Sequence, residues 1–177
     1  MRIRALALTL VSATSLSALA QNRFVDELIG EGLFGVKWGA TLDEVKAIHP
    51  GGTTTIFDGV TFGYEVESDR TIFELERRPD DKISFGFAGN SLANISVVFP
   101  DCVLLFIKLQ EYVGAPTVAQ KLDPQRTELI MEGGEWRGSS VVVNALMVAQ
   151  GLGLECTLIV SVPTGPVDAS RSQLDLG

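Results

Sequence analysis

Apolar and polar residues alternate along this chain in two rhythms, one of period two and one close to the helical repeat. Val60, Phe62, Tyr64 and Val66 alternate with Thr61, Gly63, Glu65 and Glu67, the pattern of an antiparallel strand with one buried face. Ile83, Phe85 and Phe87 alternate in the same way, as do Ile95, Val97 and Phe99. Turn residues separate these runs. Asp58-Gly59 is a two-residue hairpin signal, and Pro79-Asp80-Asp81 and Gly89-Asn90 are further turns. With β-branched Thr53 to Phe57 in front and another run at Thr71 to Leu75, the pattern predicts a meander of four or five strands. After a polar linker from Ala115 to Gln125, a second series runs from Thr127 to Glu132, turns at Gly133-Gly134, and passes Trp136 before another polar turn. Two long apolar strands, Val141 to Ala149 and Leu152 to Val162, then flank Gly151.

Two segments carry the helical rhythm. From Phe34 to Pro50 an extended run leads through a glycine turn into a short helix. Thr41 is its N-cap and Glu44, three residues on, completes a capping box. Leu42, Val45 and Ile48 share one face, and His49-Pro50-Gly51-Gly52 ends the helix. The polar stretch before it, Gln21 to Gly32, reads as a lead-in with one frayed helical turn. The second helix starts at Pro100-Asp101, with Asp101 as N-cap, and stops at Gly114. Cys102, Leu105, Phe106, Leu109 and Val113 share its inner face, while Lys108, Gln110 and Glu111 look outward. The expected fold is α+β: two short helices packed on one face of a largely antiparallel sheet, in the order helix, strands, helix, strands. A weak internal echo is present, each half being a short helix followed by a hairpin series.

The first twenty residues change the picture of where this fold lives. Arg2 and Arg4 form a positive start, Ala5 to Leu16 is a short apolar core, and Ala18-Leu19-Ala20 offers a cleavage site before Gln21. That is the pattern of a secretory signal peptide, and its apolar core is too short for a spanning helix. The expected division is a signal peptide at 1–20, one α+β domain at 21–163 and a disordered tail at 164–177. No cysteine follows the cleavage site, so no lipid anchor is expected there, and no later segment reads as a membrane span. The mature chain is expected in the periplasm or outside the cell. Losing Arg2 and Arg4 takes the formal net charge from −8 to −10. Such a chain repels phosphate backbones and anionic headgroups, so nucleic acid is not an expected partner.

Candidate chemistry is sparse. His49 is the one histidine, at a helix end before proline, with no serine or acid at a triad spacing; a helix-capping imidazole is the reading. The glycines form no phosphate loop and no dinucleotide fingerprint, and read as turns. Glu65 with Glu67, and Glu74 with Glu76, pair on strand faces, as a glycosidase or a calcium site would need, or as a solvated face does. Arg70, Arg77 and Arg78 lie near enough to pair with these acids across strands. No catalytic, cofactor or metal residue is therefore assigned. Trp38 reads as core, and Trp136 is a possible partner-binding residue, since tryptophan dominates interface hot spots. Cys102 opens the second helix on its buried side, and Cys156 shares strand parity with Leu154, Leu158, Val160 and Val162. In an oxidising compartment a Cys102–Cys156 disulfide is one reading; two unpaired buried cysteines are the other.

The segment GATLDEV, Gly39 to Val45, resembles the glycine-x-threonine-x-x-x-valine opening of small bacterial envelope proteins of the BamE and β-lactamase-inhibitor-protein type. VGAPT, Val113 to Thr117, is similar to the glycine-x-proline that ends a helix there, before strands carrying a tryptophan such as Trp136. The resemblance implies helices packed on an antiparallel sheet and a role in binding other proteins. The chain lacks the lipid-bearing cysteine of the lipoproteins in that group. Three readings follow: a non-catalytic exported protein-binding or adaptor protein of the cell envelope, an enzyme inhibitor or toxin immunity protein, and a carboxylate-dependent hydrolase. In the first, the sheet face that the helices leave bare is the expected meeting place for a partner protein.

Overall fold

The computed structural model describes residues 25–57, 60–68, 70–77, 81–121, 130–150 and 153–163. The expected signal peptide, the 164–177 tail, the Asp58-Gly59 turn, Arg78 and the turn at Gly151 lie outside the described residues. After a helical turn at 25–29 comes a small hairpin, β1 (Gly32–Leu33) and β2 (Val36–Lys37). Then follow α1 (Leu42–Ile48), β3 (Thr53–Phe57), β4 (Val60–Glu67), β5 (Lys82–Ala88) and β6 (Ser91–Phe99). The rest is α2 (Cys102–Val113), β7 (Val118–Lys121), β8 (Ile130–Arg137), β9 (Val142–Gln150) and β10 (Gly153–Ser161). The architecture is mixed α+β with a largely antiparallel sheet. Among the described residues no helix is long and apolar enough to cross a membrane.

The sheet runs β3-β4-β5-β6-β10-β9-β8-β7, so two four-strand meanders meet at their last strands, β6 and β10. Alternation fixes the register because a one-residue slip would turn every apolar side chain outward. In register, Tyr64 lies opposite Phe85, Phe85 opposite Ile95, Ile95 opposite Val160, Val160 opposite Val143, and Val143 opposite Trp136. All six are buried, an apolar row crossing six strands. Both helices meet this row. The His49 ring, just after α1, stands 5.1 Å from that of Phe85, and Phe106 of α2 stands 6.4 Å from Trp136. The opposite face carries Glu65, Ser84, Ser96, Ile159, Asn144 and Glu135 in one register row.

Three sequence expectations are corrected. Thr71 to Leu75 forms no strand: Phe73 and Glu74 both take left-handed backbone (φ 56° and 57°), and Ile72, Phe73 and Leu75 turn into the core. Gly133-Gly134 is not a turn but the middle of β8, which runs on through Trp136 to Arg137. Within the supposed polar linker, Val118–Lys121 pairs with β8 as the edge strand β7.

The caps that define both helices are as the sequence implies. Glu44 Oε2 accepts from the Thr41 backbone N–H (2.7 Å), and Thr41 Oγ1 accepts from the Glu44 N–H (3.4 Å). Asp101 accepts from the Leu104 N–H at 2.9 Å. Thr41→Ala removes one half of the α1 box and is expected to lower stability by about 1 kcal/mol. Urea denaturation checks this, and an unchanged midpoint would mean that packing alone holds α1.

Candidate functional site

The residues singled out by sequence divide sharply once placed. Trp136 does not face a partner: its side chain is fully buried, and its indole N–H donates to the Gly114 carbonyl at 2.7 Å. Trp38 packs against the core partly buried, donating to the Ile29 carbonyl at 2.8 Å. Cys102 and Cys156 are joined, with Cα atoms 5.2 Å apart, inside the range a disulfide needs. The sheet places them together: Cys156 lies opposite Phe99 at the end of β6, and α2 begins at Cys102 just beyond.

His49 is buried and works structurally. Its backbone N–H caps α1 by donating to the Val45 carbonyl, but its imidazole caps no helix. Nε2 lies 3.1 Å from the Phe34 carbonyl, which can only accept, so Nε2 carries the proton. Arg70 Nη1 donates to that same oxygen at 2.5 Å. Burial holds the imidazole's pKa below its ordinary value; the hydrogen bond to Phe34 opposes this, and the Arg70 charge adds to it. A folded pKa below the unfolded one means the unfolded chain takes the proton first. The stability from neutral His49 is therefore complete above about pH 6.5 and is lost as pH falls through the folded value. His49→Gln keeps a donor without titrating. Melting temperatures from pH 8 to 4 are expected to fall more steeply for the parent than for the variant; parallel profiles would refute the assignment.

The carboxylates stand in ion-paired, solvated places. Glu65 accepts from Ser84 Oγ at 3.1 Å and lies 3.8 Å from Lys82 Nζ. Glu67 is exposed nearby. Glu74, whose side chain is 76% exposed, lies 3.9 Å from Lys108 Nζ. Arg70 and Arg77 make their hydrogen bonds to backbone carbonyls instead. Arg70 binds the Phe34 carbonyl, and Arg77 clasps the carbonyls of Ser68, Arg70 and Lys82 at 2.8, 3.3 and 2.9 Å. Among the described residues, no cluster of histidine, cysteine or acidic side chains fits a metal ion. Asp26 has another structural task. Its carboxylate accepts from the backbone N–H and hydroxyl of both Ser139 and Ser140, at 2.5 to 3.0 Å. Burial would raise its pKa, yet these four bonds outweigh that and hold it at about 2, tying the 25–29 turn to the β8–β9 connection.

What the sequence reading missed is on the outside of α2. Val103, Leu104 and Ile107 are 67%, 39% and 47% exposed, although Leu105, Leu109 and Val113 already fill the helix's inner face. Positions 103 and 107 lie one turn apart, and 104 and 107 are neighbours, so the three form one ridge. A signal was present: Cys102 to Ile107 is six apolar residues in a row, more than a helix with one buried stripe can hide. Beside the ridge, a groove of about 350 Å³ is lined by Leu75, Phe99, Pro100 and Leu104, with Glu74, Glu76 and Asp101 at its edge. Lys108, 3.9 Å from Glu74, is tied to Glu111 at 3.0 Å, and that hydrogen bond raises its pKa above the ordinary lysine value.

The groove wall is held in a fixed shape. Left-handed backbone at two successive non-glycine residues costs roughly 1–2 kcal/mol each, so something must impose it on Phe73 and Glu74. The Phe73 ring sits 5.3 Å from that of Tyr112 on α2, Leu75 N–H closes a turn to the Ile72 carbonyl at 3.1 Å, and the Arg77 clasp follows. Strain held by packing in this way concentrates at binding sites. No family model, curated protein or solved structure matches this chain.

Proposed function

We propose that this chain is an exported, non-catalytic protein-binding protein of the bacterial cell envelope, and that the α2 ridge with its groove is the docking surface. The observation that carries the reading is Val103, Leu104 and Ile107 standing in water, rimmed by Glu74, Glu76, Asp101 and Glu111. Covering what each of these side chains leaves exposed is worth about 0.6–2 kcal/mol, and contiguous apolar patches with a polar rim mark interaction sites. The signal-peptide pattern supports export, and the Cys102–Cys156 bond is compatible with it. An enzyme inhibitor or immunity protein is one form such a binder takes; the acidic rim supports that form, because opposite charge speeds docking on a basic target.

The test is capture from envelope extract by the parent chain, by Val103→Ser/Ile107→Ser and by Phe62→Ser, an exposed apolar control at the far end of β4. A protein held by the parent and by Phe62→Ser, and lost by the ridge variant, is the expected result. Equal retention by the ridge variant would remove α2 as the docking surface.

A further inference from the structure

We infer that the groove beside α2 receives a basic peptide segment of the partner, one apolar side chain of which seats against Pro100 and Leu104. The inference deepens the binding reading above and rests on it. Its charge argument is local. Glu74, Glu76 and Asp101 line the groove, and Glu111 stands two turns beyond Leu104 along α2. The lysine beside Glu74, Lys108, is itself held between carboxylates, 3.0 Å from Glu111 and 3.9 Å from Glu74. An incoming segment therefore meets exposed Pro100 and Leu104 beside three carboxylates, and lysine or arginine flanking a leucine-like side chain satisfies both. A second copy of this chain would bring the same carboxylates to the same place, and like charges across an interface oppose docking. Anionic lipid and nucleic acid meet the same repulsion.

Shape adds to charge. The wall from Ile72 to Leu75 is already fixed by its turn and by the Phe73–Tyr112 contact, so little ordering remains to be done when a segment arrives. The opposite wall is the first turn of α2, fastened to β10 through Cys102 and Cys156. Neither wall has to move.

The probe is a short capped peptide of leucine and lysine, its leucines spaced for one helical face, beside a counterpart with glutamate in place of every lysine. Each is titrated into the full chain by NMR. The lysine peptide is expected to shift the amides of Leu75, Glu76 and Leu104, and to bind less tightly as salt is added. Leu104→Asp and the double change Glu74→Gln/Glu76→Gln are each expected to weaken it by about tenfold or more, with unchanged circular dichroism. Equal binding of both peptides, shifts confined to another surface, or no binding by the lysine peptide would overturn the inference. The general binding reading fails separately, when the ridge variant still captures every envelope protein that the parent does.

Discussion

Trp136→Ala is expected to destabilise the protein by about 3–5 kcal/mol, a large share of the roughly 5–15 kcal/mol that holds a domain together. The indole is fully buried at the end of the six-strand apolar row, touches Phe106 of α2, and satisfies the Gly114 carbonyl where that helix ends. Truncation would open a cavity beneath α2 and leave that carbonyl without its donor. The site is also built around the ring. A Cβ added at Gly134 would lie 2.9 Å from the indole's Cη2, so a side chain there and the tryptophan cannot both keep their places. Urea unfolding followed by circular dichroism is the measurement. A loss below 1 kcal/mol would mean that the ring fills no space the core depends on.

Removing the disulfide is expected to cost nearly as much. Cys102 and Cys156 are 54 residues apart in sequence, and closing such a loop restricts the unfolded chain by about 4 kcal/mol on the chain-entropy account. Cys102→Ala/Cys156→Ala should lower the melting temperature by on the order of 10 °C and make it insensitive to reductant. The parent should fall to nearly the same value once reduced. A parent whose melting temperature ignores reductant under unfolding conditions would contradict the bond.

How much of this was legible in the sequence depends on the range of the physics involved. Where neighbours in sequence are neighbours in space, the reading was close. The capping box of Thr41 and Glu44, the Asp101 cap and the alternation through β5 and β6 stand where the pattern put them. In β4, Tyr64 and Val66 are buried, whereas Phe62, read as part of the same buried face, is exposed. Where meaning came from distant strands, it was hidden. Gly133-Gly134 carries a turn signature, and only the indole lying over Gly134 explains glycine inside a strand. Thr71 to Leu75 has strand-like composition, but Tyr112, nearly forty residues on in α2, packs on Phe73 and the segment takes a left-handed turn instead. The bond between Cys102 and Cys156 follows from β10 pairing with β6, a connection that no local pattern announces. The candidate site lay between these cases. The apolar surplus of α2 was visible as Cys102 to Ile107, but the acidic groove beside it requires residues 74–76 to be folded against the helix.

The claim that α2 is the docking surface is tested most directly by site-specific photocrosslinking in cells. A benzophenone side chain is placed in turn at Val103 on the ridge, at Ser96 on the bare sheet face, and at Phe62. The account predicts a discrete adduct to one envelope protein from position 103, weakened by Ile107→Ser, and none from 96 or 62. An adduct from position 96 with none from 103 would contradict it and move the docking surface to the open face of the sheet.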